Sequence, residues 1–201
     1  MANKRFTQMK NQIAKKLDQE LSAKVIHLMD QEYTKLCTET TDIPADFVKH
    51  TRNNIFPVVA TYRALMQSGF SQEEAQSLAE TSFLELMEEI AEMIRKCLKV
   101  PGLYRSMPWL WKTLMPKLFS KEAGFEFKFY ETDNHQVKFD MCKCPYLEMC
   151  EQLHCPELAP LFCATDDTCY GNMHPNLKWN RTKTMARGAD LCDFDVEVVK
   201  K

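Results

Sequence analysis

The side chains best suited to chemistry crowd into the last third of this chain. Seven of its nine cysteines lie between Cys142 and Cys192. Cys163, Asp166, Asp167 and Tyr170 stand at i, i+3, i+4 and i+7, so on a helix they share one face. A thiolate there would be a strong nucleophile near neutral pH. Asp166 or Asp167 could serve it as general base if burial or mutual repulsion lifts a carboxyl toward neutrality. Adjacent helical residues diverge by about 100°, so only one of the pair can point squarely at Cys163. Cys192 offers a second thiol, and His174, before Pro175, is a candidate proton carrier. Arg181 has the planar fork that grips a carboxylate. Thr182, Thr184 and Tyr170 supply hydroxyls for binding. Each residue also has an ordinary role beside this one: a buried structural thiol, a solvated helix face, an exposed strand face, a surface histidine.

Four further cysteines, Cys142, Cys144, Cys150 and Cys155, form a C-x-C-x5-C-x4-C cluster that could hold zinc through sulfur, or could cap helices beginning at Pro145 and Pro156. The chemistry outlined above requires no cofactor. The chain has no phosphate-binding glycine loop, dinucleotide fingerprint or zinc-protease helix.

These residues need elements to position them. From Phe6 to about Cys37, Ile13, Leu17, Leu21, Val25 and Leu28 recur at helical spacing. A second helical segment spans Ala45 to Gln67, and Pro57 must kink it near Asn53 to Phe56. Gly69 ends it. Ser71 with Glu74 makes a capping box for a helix reaching Lys99, stopped by Pro101-Gly102. A shorter aromatic segment covers Tyr104 to Phe119. After Gly124 the period falls to two: Phe125, Phe127 and Phe129, then Val137, Phe139 and Met141, flank the turn Thr132-Asp133-Asn134. A second hairpin, Leu177–Arg187 with Leu191–Val199, turns at Gly188-Ala189. A two-residue turn pairs Cys192 with Met185, a three-residue loop with Thr184, and the choice decides whether Arg181 or the threonines join Cys192. Between the hairpins, Pro156 opens a helix that carries Cys163 and ends at Gly171-Asn172.

The expected class is therefore α+β: a helical, bundle-like half over 1–120, then a four-stranded antiparallel sheet of two hairpins with an inserted helix over 121–201, all in one domain. Pro101 to Ser106 joins the two parts. With 45% apolar and 27% charged residues the chain has the composition of an ordinary globular protein. A net charge of -2 gives no electrostatic case for nucleic acid, and no run approaches the roughly 18 apolar residues of a membrane span. The partner expected is a small molecule, in a cytoplasmic protein whose cysteines are thiols. The apolar first helix would suit a homo-oligomer seam.

Four stretches carry a more specific signal: Cys144-Pro145-Tyr146, the run from Cys155-Pro156-Glu157 to Asp166-Asp167, Trp179 to Thr184, and Gly188 to Phe194. In order and spacing they resemble the C-terminal signature of the L-2-amino-thiazoline-4-carboxylic acid hydrolase family, over about sixty residues. The resemblance implies a hydrolase that opens a small heterocycle of the cyclic amidine or thiazoline kind, at a C–N or C–S bond. Cys163 would attack the electron-poor ring carbon, and Arg181 would hold the substrate carboxylate. A sensory module that binds a small molecule or metal without turnover would use the same pocket, and a fold alone does not fix a ligand.

Overall fold

The structure is a computed structural model describing residues 3–130, 133 and 135–199. It is α+β: helices fill most of the first half, and a four-stranded antiparallel sheet occupies the second. The chain's internal contacts divide it into two compact units, Met1–Leu86 with Met149–Leu158, and Met87–Glu148 with Ala159–Lys201. The division falls at Leu86, inside a helix.

In the first unit the expected single stripe from Phe6 is two helices, α1 (Lys4–Lys16) and α2 (Gln19–Glu39). Asp18 breaks it. Its carboxylate accepts the Leu21 N–H at 2.9 Å and so caps a new helix, as Asn3 caps α1 through Phe6 N–H at 3.0 Å. The break resets the helical phase: Phe6, Met9 and Ile13 are buried on α1, and Val25, Met29 and Leu36 on α2, while Leu17, Leu21 and Leu28 are only half-buried. The kink expected at Pro57 is real. A short helix, α3 (Val48–His50), runs through a π-type turn at Thr51–Ile55 into α4 (Phe56–Gln67), the extra residue absorbing what proline cannot donate. Gly69, at φ 104°, ends α4. Ser71 and Glu74 cap α5 (Gln72–Leu98) reciprocally, at 2.9 Å and 3.3 Å. The segment 149–158 docks on this unit through Tyr62 OH to Glu157 Oε1 at 2.5 Å and Arg63 to the Leu153 carbonyl at 2.7 Å.

The second unit contains α6 (Met107–Leu118), β1 (Glu126–Phe129), β2 (Gln136–Lys143), α7 (Pro145–Gln152, whose last turn belongs to the first unit), α8 (Ala159–Tyr170), β3 (Leu177–Asn180) and β4 (Cys192–Val198). The inserted region thus holds two helices, and the one bearing Cys163 begins at Ala159, because Pro156–Leu158 forms a separate 3-10 turn. Strand order is β1-β2-β4-β3, antiparallel throughout. Of the turn expected between β1 and β2, Thr132 and Asn134 lie outside the described residues. Asp133 accepts the N–H groups of His135 and Gln136 at 2.6 and 2.8 Å. Alternation is strict in β4, where Cys192, Phe194, Val196 and Val198 are buried. Phe139 and Phe194 stack at 4.8 Å across the β2–β4 pair, and Trp111 of α6 packs against Phe139 at 6.1 Å. The aromatic segment therefore covers the sheet.

The C-terminal hairpin differs from both expected registers. Asn180 pairs with Asp195 and Leu177 with Val198, and β3 ends there, so Arg181 is not mid-strand. The Asp193 carboxylate pulls residues 182–183 off the ladder: it accepts Thr182 N–H at 2.8 Å, Thr182 Oγ1–H at 2.7 Å and Lys183 N–H at 2.6 Å. A 3-10 turn at Met185–Arg187 follows and closes on Gly188 at φ 88°.

Phe139 is 1% exposed at the centre of this sheet core. Phe139→Ala is expected to cost about 3–5 kcal/mol of stability in urea denaturation.

Candidate active site

The candidate site is built where α8 meets the segment after β3. Its centre is Arg181, whose side chain is 4% exposed. Nη1 donates to Asp166 Oδ2 at 3.1 Å, and Nη2 donates to Asp167 Oδ2 at 2.5 Å and to the Cys163 carbonyl at 2.8 Å. The guanidinium also lies 5.8 Å from the Trp179 ring and 5.6 Å from that of Phe194. One cation thus ties residues 163, 166 and 167 of α8 to the segment after β3. Gly171 ends that helix with its N–H on the Asp167 carbonyl at 2.8 Å, an approach so close that a Cβ there would sit 2.5 Å from the same oxygen.

The two aspartates diverge as the helical angle requires. Asp167 is half exposed, accepts from Trp179 Nε1 at 3.1 Å and faces a cleft. Asp166 faces inward and keeps 32% of its side chain exposed. Burial raises its carboxyl to about 7; the Arg181 charge opposes that rise, and Asp167 adds to it. Two carboxylates share one guanidinium, so the trio would carry a net negative charge in a poorly solvated place. The more buried carboxyl takes up a proton first.

Three thiols stand close enough to Asp166 to feel it. Burial, with Cys192 beside it, pushes Cys163 up to about 12. Burial pushes Cys144 to about 11, against N–H groups of Tyr146 and Leu147 at the start of α7. Cys192 is raised by burial although its sulfur accepts the Met185 N–H at 3.2 Å. Burial also raises the Tyr170 hydroxyl, with Asp166 contributing, and its ring packs between Trp111 and Trp179 at 4.6 and 5.4 Å.

Beside this cluster lies a cleft of about 180 Å³ lined by Asp167, Arg181, Thr182, Lys183, Thr184, Arg187 and Ala189. The alternation expected for strand residues 181–184 does not sort them, because they have left the strand. Thr184 is 7% exposed, and its hydroxyl is one of two buried side-chain polar atoms without a hydrogen-bond partner among the described residues. Cys163, Asp166 and Cys192 stand outside this lining, behind Arg181. His174 stands apart too: its ring stacks on Tyr104 at 4.3 Å, and Nδ1 accepts the Asn176 N–H at 3.1 Å.

The cysteine cluster is not gathered. Among the described residues no three His, Cys, Asp or Glu side chains are placed to hold a metal ion. Cys142 is exposed, Cys144 sits with the thiols above, and Cys150 and Cys155 are buried in the first unit, where a hydrogen bond from Cys150 holds the Cys155 thiol below its usual value. Cys142 lies on β2 and Cys150 on α7, with Cys144 between them, an arrangement that splays thiols which an extended loop could have converged. Asp193, Lys183, Arg187 and Trp179 are not among the candidate site residues of the sequence, although Trp179, Lys183 and Asp193 fall in the stretches that resemble the family signature. On its own, a charged residue on the polar side of β4 looks like any solvated strand residue.

Arg181→Met keeps the stem's packing but leaves the carboxylates uncompensated. A loss of about 1–3 kcal/mol is expected near pH 8, below the roughly 3–5 kcal/mol of a fully buried pair because both aspartates retain exposure. The loss should shrink near pH 5, as Asp166 protonates. In the parent protein Asp166 titrates above the usual carboxylate value of about 4. Its contribution to stability is therefore full below pH ~4 and is lost as pH rises through about 7. Asp166→Asn should remove that part of the slope in urea titrations across this window.

Among the described residues no helix is long and apolar enough to cross a membrane. No curated protein and no solved structure matches the chain. The family described as L-2-amino-thiazoline-4-carboxylic acid hydrolase matches residues 48–196, which run from α3 into β4 and take in Arg181 with both its aspartates and the cleft. The match covers well over half of the 201 residues, and the chain belongs to the L-2-amino-thiazoline-4-carboxylic acid hydrolase family.

Proposed function

We propose that this protein is a hydrolase that opens a small, anionic heterocycle of the thiazoline or cyclic amidine kind, with Asp166 as general base and Cys163 as nucleophile. The observation that carries the proposal is the Asp166 carboxyl, raised by burial to about 7 beside the Cys163 thiol. A base with that value is half ionised at neutral pH and accepts a proton with the best compromise of availability and strength.

The cleft supports the substrate class. Its volume of about 180 Å³ is below the roughly 300–1,000 Å³ of sites for drug-sized ligands, so it suits a small ring. Lys183 and Arg187 line it with a single carboxylate, Asp167, and the unpartnered Thr184 hydroxyl is a donor awaiting an acceptor. An anionic group such as a ring carboxylate satisfies all three. In this reading Arg181 is a positioning residue more than a clamp, because both hydrogens of its Nη2 already serve Cys163 and Asp167.

The reaction proposed requires the ring, anchored by its carboxylate in the cleft, to reach past Arg181 to Cys163 and Asp166, which lie outside the lining; there the Cys163 thiol passes its proton to Asp166 as sulfur bonds to the ring carbon between the heteroatoms. The ring C–S or C–N bond then breaks, and Asp166 returns the proton to the leaving heteroatom. Water, deprotonated by the same carboxylate, releases the opened product and restores the thiol. Attack by water alone needs no Cys163, which separates the two routes.

With L-2-amino-thiazoline-4-carboxylic acid or a cyclic amidine as substrate, kcat/KM should rise with pH through about 7. Asp166→Asn should lower it about 100- to 10,000-fold and flatten that limb. Cys163→Ser should abolish turnover, and full retained turnover would assign the attack to water. Thr184→Val should raise KM about tenfold with kcat little changed, read by steady-state kinetics.

A further inference from the structure

We propose that the corner between α5 and α6 docks the protein on an anionic lipid surface. The chain is acidic as a whole, yet seven of its 26 Lys and Arg, and none of its 28 Asp and Glu, fall in the 29 residues 93–121. That segment forms the end of α5, a hydrogen-bonded turn and α6. In the turn, Leu103 N–H reaches the Val100 carbonyl at 3.1 Å and Arg105 N–H reaches that of Gly102 at 3.1 Å, with Gly102 at φ 80°.

Two properties coincide on this corner. Val100, Leu103 and Trp109 are 56%, 40% and 63% exposed, although the same helix buries Trp111 against the sheet. Trp109 is the most exposed of the large hydrophobic side chains described. Lys99, Arg105 and Lys112 are exposed beside them, and among the described residues none of the three pairs with a carboxylate. By contrast Arg95 and Lys96, earlier on α5, are paired with Glu88 and Glu92.

Arg105 donates to the Tyr104 hydroxyl at 3.3 Å and lies over that ring, and cations without a carboxylate partner beside an exposed tryptophan and two aliphatic side chains are the chemistry of a headgroup interface. Tryptophan prefers the boundary between headgroups and acyl chains, aliphatic tips insert shallowly, and the cations meet anionic headgroups. An acidic protein would satisfy the cations but would need a pocket for the tryptophan that stands out from the first turn of α6. A lipid surface takes it without one. The contact is peripheral and consistent with the absence, among the described residues, of a spanning helix.

The test is flotation of the full chain with vesicles of phosphatidylcholine alone and of phosphatidylcholine with about 30% phosphatidylserine. Binding to the anionic vesicles is expected at low salt and should weaken strongly as salt is raised. Each of Lys99→Gln and Arg105→Gln should lower the partition coefficient about fivefold, and Trp109→Ala by a similar factor or more. All three side chains are exposed, so the variants should keep the parent circular dichroism and melting. Equal partition into neutral and anionic vesicles would overturn the proposal, as would no partition into either. It would be overturned too if the protein bound soluble polyglutamate in preference to vesicles, since the surface would then be one for acidic protein.

Discussion

A guanidinium cannot be left in a protein interior without partners, and burying the Arg181 side chain dictates much of what surrounds it. Three of its N–H groups are met by Asp166, Asp167 and the Cys163 carbonyl, all on one face of α8, and the guanidinium lies near the rings of Trp179 and Phe194 on the sheet. A helix and a sheet that share no backbone hydrogen bonds are thereby set in register with each other. The same constraint accounts for the segment after β3. For Arg181 to reach α8 the chain leaves the ladder at Asn180, and Asp193 collects the amides that this exposes. Burial lifts Asp166 toward neutrality against the opposing Arg181 charge, and Asp167, which shares that cation, adds to the rise.

What the sequence disclosed follows the range of the interactions involved. The capping box at Ser71, the stop at Gly69, the kink at Pro57 and the alternation of β2 and β4 all rest on contacts within a few residues, and composition reveals them. The shared face of Cys163, Asp166, Asp167 and Tyr170 was legible for the same reason, since helical spacing fixes it wherever the helix begins. The break at Asp18 was not, because an aspartate within a charged, helix-favouring stretch marks a cap only when a neighbouring surface makes the chain turn there. Nor was the course of residues 181–191. Strand-like alternation continues through Arg181, Thr182 and Lys183, and what cancels it is a carboxylate on another strand, ten or eleven residues on.

The late cysteines, an anomaly of composition, fall into four distinct environments, of which the exposed Cys142 is one. Cys150 and Cys155 hydrogen-bond to one another in the first unit, and Cys169 donates to the Met87 carbonyl at 3.7 Å. Only Cys144, Cys163 and Cys192 gather near a carboxyl able to take a proton, and burial raises all three. Sulfur count alone therefore says little about reactivity here. Proximity to Asp166 separates these thiols from the rest.

A thiol raised to about 12 looks at first like a poor nucleophile, and the comparison that matters is with water. Passing the Cys163 proton to a carboxyl near 7 is uphill by about five pKa steps, on the order of 7 kcal/mol. A turnover of about 10 per second corresponds to a barrier of roughly 16 kcal/mol, so this cost leaves room for bond formation. Water, with a pKa near 15.7, would start roughly four steps further uphill against the same base, and oxygen is the weaker nucleophile. The burial that keeps the thiol protonated at rest also protects it from oxidation and metal capture. In the proposed reaction a free thiolate would not need to accumulate, because it would form only as its new bond does.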